Sequence, residues 1–188
     1  MLARRTGIPT ALAALLLTLV ASIASADQSD ARLDGLFEAL ESAGDSEVAR
    51  AAEAEIWAIW IESGREEIDA LMVKGIIAMS NQQFDDAISI FAQITERAPR
   101  FAEGWNKRAT AYYLNEDLVA SVQDIRRTLA LEPRHFGAIS GMGLIFLSRG
   151  DEAGALDAFE AVLAIHPHAL GARERVDALH RLLRGRGA

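Results

Sequence analysis

The stretch 91–99, FAQITERAP, is an apolar run at helical spacing that closes on a proline. It returns as 125–133, IRRTLALEP, and as 159–167, FEAVLAIHP. Pro99, Pro133 and Pro167 therefore stand 34 residues apart each time. A fixed period of this size marks stacked supersecondary units. Other slots keep step with the prolines. Small residues recur at Gly75, Ala109 and Gly143, and again at Ala87, Ser121 and Ala155. Large apolar residues recur at Phe91, Ile125 and Phe159, and at Leu71, Trp105 and Ile139. Small side chains let two helix backbones approach, and bulky ones fill the space between one pair and the next. Proline lacks an N–H and cannot continue a helix interior, so it marks the exit from each unit. Polar turns (SNQQFDD, LNEDL and SRGDE) split each unit into two helices.

This pattern resembles the tetratricopeptide repeat over about residues 68–169, with Ser121 and Thr128 as mild departures. The resemblance implies an all-α fold, a right-handed superhelix (α-solenoid) of three helix-turn-helix repeats at 68–101, 102–135 and 136–169. The spacing predicts helix pairs at 69–81 with 84–97, 103–115 with 118–131, and 137–149 with 152–165. Such a stack exposes apolar faces at its ends unless caps cover them. Residues 170–188 supply a capping helix with a basic tail, with Ala172, Val176, Leu179 and Leu183 on one face and arginines on the other.

Residues 27–67 read as an acidic N-terminal helical pair, a degenerate repeat or cap. Leu33, Leu36, Phe37 and Leu40 line one helix, and Val48, Ala52, Ile56, Ile59 and Trp60 the other. Asp45 or Ser46 is suited to cap the second. Of Trp57 and Trp60, one is expected to pack inward and the other to lie at the boundary with the first repeat.

Residues 1–26 have the layout of a secretory signal peptide: Arg4 and Arg5, an apolar run from Ala11 to Val20, and a small-x-small site at Ala24-Ser25-Ala26. An uncleaved anchor helix is the alternative, although the run is short for a membrane span. Cleavage after Ala26 predicts an exported protein, most readily one of a bacterial periplasm, without a stable membrane anchor. The chain has no cysteine, so packing alone must hold the fold, and a thiolate metal site or cysteine nucleophile is excluded.

Removing Arg4 and Arg5 with the leader leaves 17 basic against 27 acidic residues, a net charge of −10. The stretch EGWNKRATAYYL, 103–114, has the aromatics and cations of a nucleic-acid strip, but an acidic chain repels phosphates. Trp105 takes a slot that Leu71 and Ile139 share, which points to packing. Arg108 shares a slot with Lys74 and Met142, whose long stems can cover apolar surface while the head reaches water. His135, His166, His168 and His180 read as solvated, without metal-ligand spacing. The acidic pairs Asp85-Asp86, Glu116-Asp117 and Asp151-Glu152 suit turns and helix starts rather than acid–base catalysis. No nucleophile motif, phosphate loop, metal or cofactor signature appears, so the expectation is a non-catalytic protein.

In the repeat family the first helix of each unit lines a groove that holds a peptide or a partner's helix. Carried onto this chain, the lining is Met72, Val73, Ile76 and Met79; then Asn106, Lys107, Thr110 and Tyr113; then Ser140, Gly141, Leu144 and Leu147. The family's carboxylate clamp is absent, since the matching places hold Met72, Ile76, Lys107, Gly137 and Gly141. The resemblance implies a scaffold that binds an apolar peptide or helix of a protein partner. Two alternatives stay open: a groove filled by the chain's own N-terminal helices, and head-to-tail self-assembly into a homo-oligomer.

Overall fold

The computed structural model describes residues 27–186, and the leader reading lies outside them. The described residues form nine α-helices and no strand. They are α1 (Arg32–Ser42), α2 (Ser46–Ile61), α3 (Glu66–Ser80), α4 (Phe84–Arg97), α5 (Ala102–Leu114), α6 (Leu118–Leu131), α7 (Phe136–Ser148), α8 (Glu152–Ile165) and α9 (Leu170–Arg186). The pairs α3–α4, α5–α6 and α7–α8 are the three expected hairpins, and α9 packs on α8. None of the described helices is long and apolar enough to cross a membrane.

Each hairpin closes through its small slot. A Cβ on Gly75 would sit 2.3 Å from the Phe91 ring, and one on Gly143 would sit 2.8 Å from Phe159. The middle repeat affords the methyl of Ala109 because its partner is the slimmer Ile125. Ser121, one departure from the small apolar pattern, is fully buried and donates its hydroxyl to the Ala109 carbonyl at 2.8 Å. The hydroxyl of Thr128, the other, donates to the Asp124 carbonyl at 3.0 Å.

The inner turns obey the same ruler. Gln82, Glu116 and Gly150 all have positive φ, at 61°, 63° and 73°. In each turn the residue after them donates its N–H back five residues, as from Gln83 to Ala78, Asp117 to Tyr112 and Asp151 to Phe146, all at 2.9 Å. This is the Schellman closure of a helix, whose left-handed residue is most often glycine. Asp117 and Asp151 then cap the following helices by accepting N–H bonds from Ala120 and Gly154.

The N-terminal hairpin α1–α2 does not continue the stack ahead of α3. It folds back and packs on α5 and α8, with its apolar residues sharing one core with Phe136, Phe159, Val162 and the buried face of α9. Asp45 caps α2, accepting from the N–H groups of Glu47 and Val48 at 2.8 and 3.0 Å. The first part of this segment runs along the edge where the prolines sit. Gln28 bonds the Arg100 carbonyl and the Ala102 N–H, Asp34 pairs with Arg134 at 2.8 Å, and the Ala43 carbonyl meets His168 at 2.9 Å. Arg100, Arg134 and His168 each follow one of the three periodic prolines. Three successive repeat junctions are thus strapped by one stretch of about 16 residues, as a single extended-plus-helical segment can span.

Two sequence expectations change here. Trp57 and Trp60 both pack toward the third repeat, and neither lies at the first. The Arg108 guanidinium is held by Asp124 in two bonds of 2.7 and 2.9 Å and by the Thr95 hydroxyl, instead of reaching into water. Trp105 stands over Arg108 and Arg127, and its indole N–H donates to the Pro99 carbonyl at 3.1 Å.

Candidate binding groove

The concave side is formed by α3, α5 and α7. Its middle and far end lie under α2, which covers them through Trp57 and Trp60. Gly137 makes room for this, since a Cβ there would stand 2.7 Å from the Trp57 ring. Trp60, 1% exposed, stacks face to face on His135 at 4.1 Å and 9°. Trp57 meets His135 and Phe136 edge-on at 5.7 and 5.3 Å.

Beneath the tryptophans is a buried polar hub. Glu103 and His135 are both fully buried. The Ala138 N–H donates to His135 Nδ1 at 3.1 Å, which places the ring proton on Nε2. That proton faces Glu103 Oε2 at 2.8 Å. Asn106 donates to the same oxygen at 2.9 Å, and Lys107 Nζ lies 2.9 Å from Oε1. Burial alone would raise the Glu103 carboxyl, but the His135 and Lys107 contacts outweigh it and hold it below the ordinary value of 4.5. Lys107 also stands 5.5 Å over the Trp57 ring. The hub therefore binds the second repeat to the third and both to the hairpin.

A second tie lies farther along α2. Glu53 meets His166 Nε2 at 3.3 Å and accepts from the Trp57 indole N–H at 3.4 Å. The hydrogen bond from His166, more than any other contact, holds the Glu53 carboxyl below its usual range. His135 and His166 are 0% and 3% exposed, so these two are structural histidines of the interior, not solvated loop residues.

What α2 leaves uncovered is a cavity of about 150 Å³ between α5 and α7. It gathers Asn106, Thr110 and Tyr113 with Ser140, Gly141 and Leu144. Thr110 is exposed, with its hydroxyl on the Asn106 carbonyl at 3.0 Å, and Tyr113 and Leu144 are half-buried. Lys107 is not among the residues that line this cavity and is engaged with Glu103. Leu147 is 36% exposed one turn beyond it. Ile76 and Met79 are half-buried on α3, whereas Met72 is 1% exposed in the core with Phe91 and offers no surface.

Sequence reasoning missed Glu103, His135, Trp57 and Trp60 as one unit. The slot of Glu103 holds Asp69 and Gly137 in the neighbouring repeats, an acid in two of the three, so the repeat pattern carried no signal for it.

The Tetratricopeptide repeat profile matches residues 72–135. Over 154 residues the chain is 35% identical to a TPR repeat-containing protein of Rhizobium etli, covering 82% of this chain and 76% of that one. The Sgt2 TPR domain from Aspergillus fumigatus superposes with a TM-score of 0.61 at 22% identity, over 65% of this chain and 83% of that domain. The first TPR of Spaghetti, solved bound to an HSP90 peptide, gives 0.59 at 20% identity, over 62% of this chain and 93% of that one.

Proposed function

Because the chain belongs to the tetratricopeptide-repeat family, we propose that it is a non-catalytic scaffold that takes a peptide segment of a protein partner on its concave side. The observation that carries this reading is the cavity between α5 and α7. It pairs the apolar Leu144 and the ring of Tyr113 with the hydroxyls of Thr110 and Ser140, on the face where the family receives peptides. Such a mixed lining suits an extended segment, whose backbone needs polar partners while its side chains need apolar ones. The HSP90 peptide on the first TPR of Spaghetti is a precedent for the fold, without naming the partner here.

The open part of the face continues toward Val73, Ile76 and Met79, with Val73 57% exposed. Methionine adapts to varied side chains, which suits Met79 at the end of such a face. Lys107 contributes through Glu103 and Trp57 instead of as a free cation, so the groove selects apolar and hydrogen-bonding groups over acidic ones.

The leader pattern supports export, with the mature chain starting at Asp27 in the bacterial envelope. N-terminal sequencing of the protein from a periplasmic extract tests this, with Asp27 as the first residue expected. A photo-crosslinking residue at Tyr113 tests the groove. It should trap a partner in intact cells that the same probe at Arg181 does not, and Leu144→Asp should abolish the adduct. Equal trapping from both positions, or an adduct indifferent to Leu144→Asp, defeats the reading.

A further inference from the structure

A second cavity, of about 440 Å³, lies between α2 and the last repeat, apart from the peptide groove but sharing Gly137, Ser140 and Leu144 with it. Its floor is Trp57, Phe136, Leu144, Phe159 and Val162. Its rim is cationic, although the chain as a whole carries a charge of −8. Arg50 and Arg175 both line it, and neither is in a salt bridge among the described residues, Asp45 interacting with Arg50 and His168 only through the field of its charge. Arg50 uses its Nε on the Ser46 carbonyl, and Arg175 one terminal nitrogen on the Gly171 carbonyl, so each guanidinium keeps donors to spare.

His168 stands on the same rim, and the first turn of the 17-residue helix α9 opens onto it. A helix start favours negative charge. The one acid, Glu53, is already engaged by His166 and Trp57. His166 itself is 3% exposed and lines the cavity behind Glu53.

We infer that this cavity binds a carboxylate on an alkyl chain, with the chain on the aromatic floor and the carboxylate between Arg50 and Arg175. The floor explains why the body is alkyl: its five side chains are apolar, and the one polar atom among them, the Trp57 indole N–H, is already given to Glu53. Arginine's planar fork suits a carboxylate, and the cationic rim steers an anion toward it despite the acidic protein.

Calorimetric titration with decanoate tests the site, with circular dichroism confirming that each variant is folded. Saturable one-to-one binding is expected, at least tenfold weaker for decanol, which has the chain without the charge. Arg50→Gln and Arg175→Gln, both surface changes, should each weaken decanoate by about tenfold, the effect of one lost charge-assisted bond. Equal binding of decanol, arginine variants indistinguishable from the parent, or no saturation overturns the inference. Tighter binding of acetyl-Leu-Phe than of decanoate overturns the acyl assignment, because a peptide carboxylate is then the better fit. None of these outcomes bears on crosslinking at Tyr113, so the two readings fail separately.

Discussion

The concave faces of the first repeat and of the next two are built on the same ruler but end differently. On α3, Val73 is 57% exposed beside the half-buried Ile76 and Met79, and the described hairpin α1–α2 packs elsewhere, on α5 and α8. On α5 and α7 the lining is more polar, with Asn106, Lys107, Ser140 and Gly141, yet it is here that α2 lies down, over Lys107, His135 and Gly137. An apolar count would have sent the hairpin to α3. Shape and pairing sent it elsewhere: Gly137 leaves a recess for the Trp57 ring, and His135 gives Trp60 a flat partner whose far side is held by Glu103. Close packing rewards fit over hydrophobicity alone, and a buried polar group that is fully paired specifies one arrangement.

The largest effect expected from this difference is at Trp60. Trp60→Ala removes a fully buried indole at the junction of hairpin and stack, and should cost about 3–5 kcal/mol. Val73→Ala, on the uncovered face, should stay within about 0.5 kcal/mol. Urea unfolding of both variants checks the contrast. A Trp60 variant as stable as the parent would mean that the hairpin adds nothing to the stack.

Next comes the hub under Trp60. Glu103→Gln keeps the shape but removes the charge that His135 and Lys107 face, and should cost about 1–3 kcal/mol at neutral pH. The variant also changes the pH dependence. The folded Glu103 carboxyl titrates below 4.5, so on acidification the unfolded chain takes up the proton first. Its contribution is complete above that ordinary value and is lost as pH falls through the folded one. Parent stability should therefore drop more steeply than that of Glu103→Gln below about pH 5. Parallel curves in thermal melts between pH 3 and 7 would remove Glu103 from the account. Glu53, held low by His166, should add a smaller slope of the same sign, since it is partly exposed.

What was legible in the sequence follows from the same contrast. The three hairpins, their small slots and the α9 cap were readable because each contact repeats at a fixed offset of one helix or one unit. Gly75 against Phe91 is a local event seen three times. The seat of α1–α2 was not readable, because Trp60 on His135 and Glu53 on His166 join residues 75 and 113 apart, once each. Nothing in the sequence singled out Glu103, and His135 read as a solvated histidine. Only the fold puts Lys107, Asn106 and His135 around one carboxylate. The cap of α2 was readable to within one residue, Asp45 or Ser46, because capping is local, and it is Asp45.

Within the uncovered repeat, the contact that ought to matter is internal. Gly75→Ala places a methyl 2.3 Å from the Phe91 ring, which is fully buried and has no room to retreat. Overpacking of this kind costs about 1–3 kcal/mol. The matching change in the middle repeat exists already as Ala109, opposite Ile125. Gly75→Ala combined with Phe91→Ile therefore recreates the middle repeat's own pairing, and should recover part of the loss. A double variant worse than the sum of the two singles would show that the repeats are not equivalent in depth.

The smallest effect concerns the inner turns, which lie at the opposite edge from the hairpin and should be blind to it. Glu116 holds φ 63° and Gln82 φ 61° where the third repeat has glycine, Gly150, at 73°. A side chain in the left-handed region clashes with its own backbone, and glycine does not. Against that gain, glycine leaves the unfolded chain more freedom, which takes back part of it. Glu116→Gly should therefore stabilise by about 0.5–1 kcal/mol, and Gly150→Ala should destabilise by a similar amount. In the Trp60→Ala background both shifts should be unchanged, because residues in separate contacts add. If Glu116→Gly instead gains or loses with the hairpin intact or loosened, the turn edge and the concave edge are coupled through α5, and the repeats act as one cooperative body and not as a stack beneath a strap.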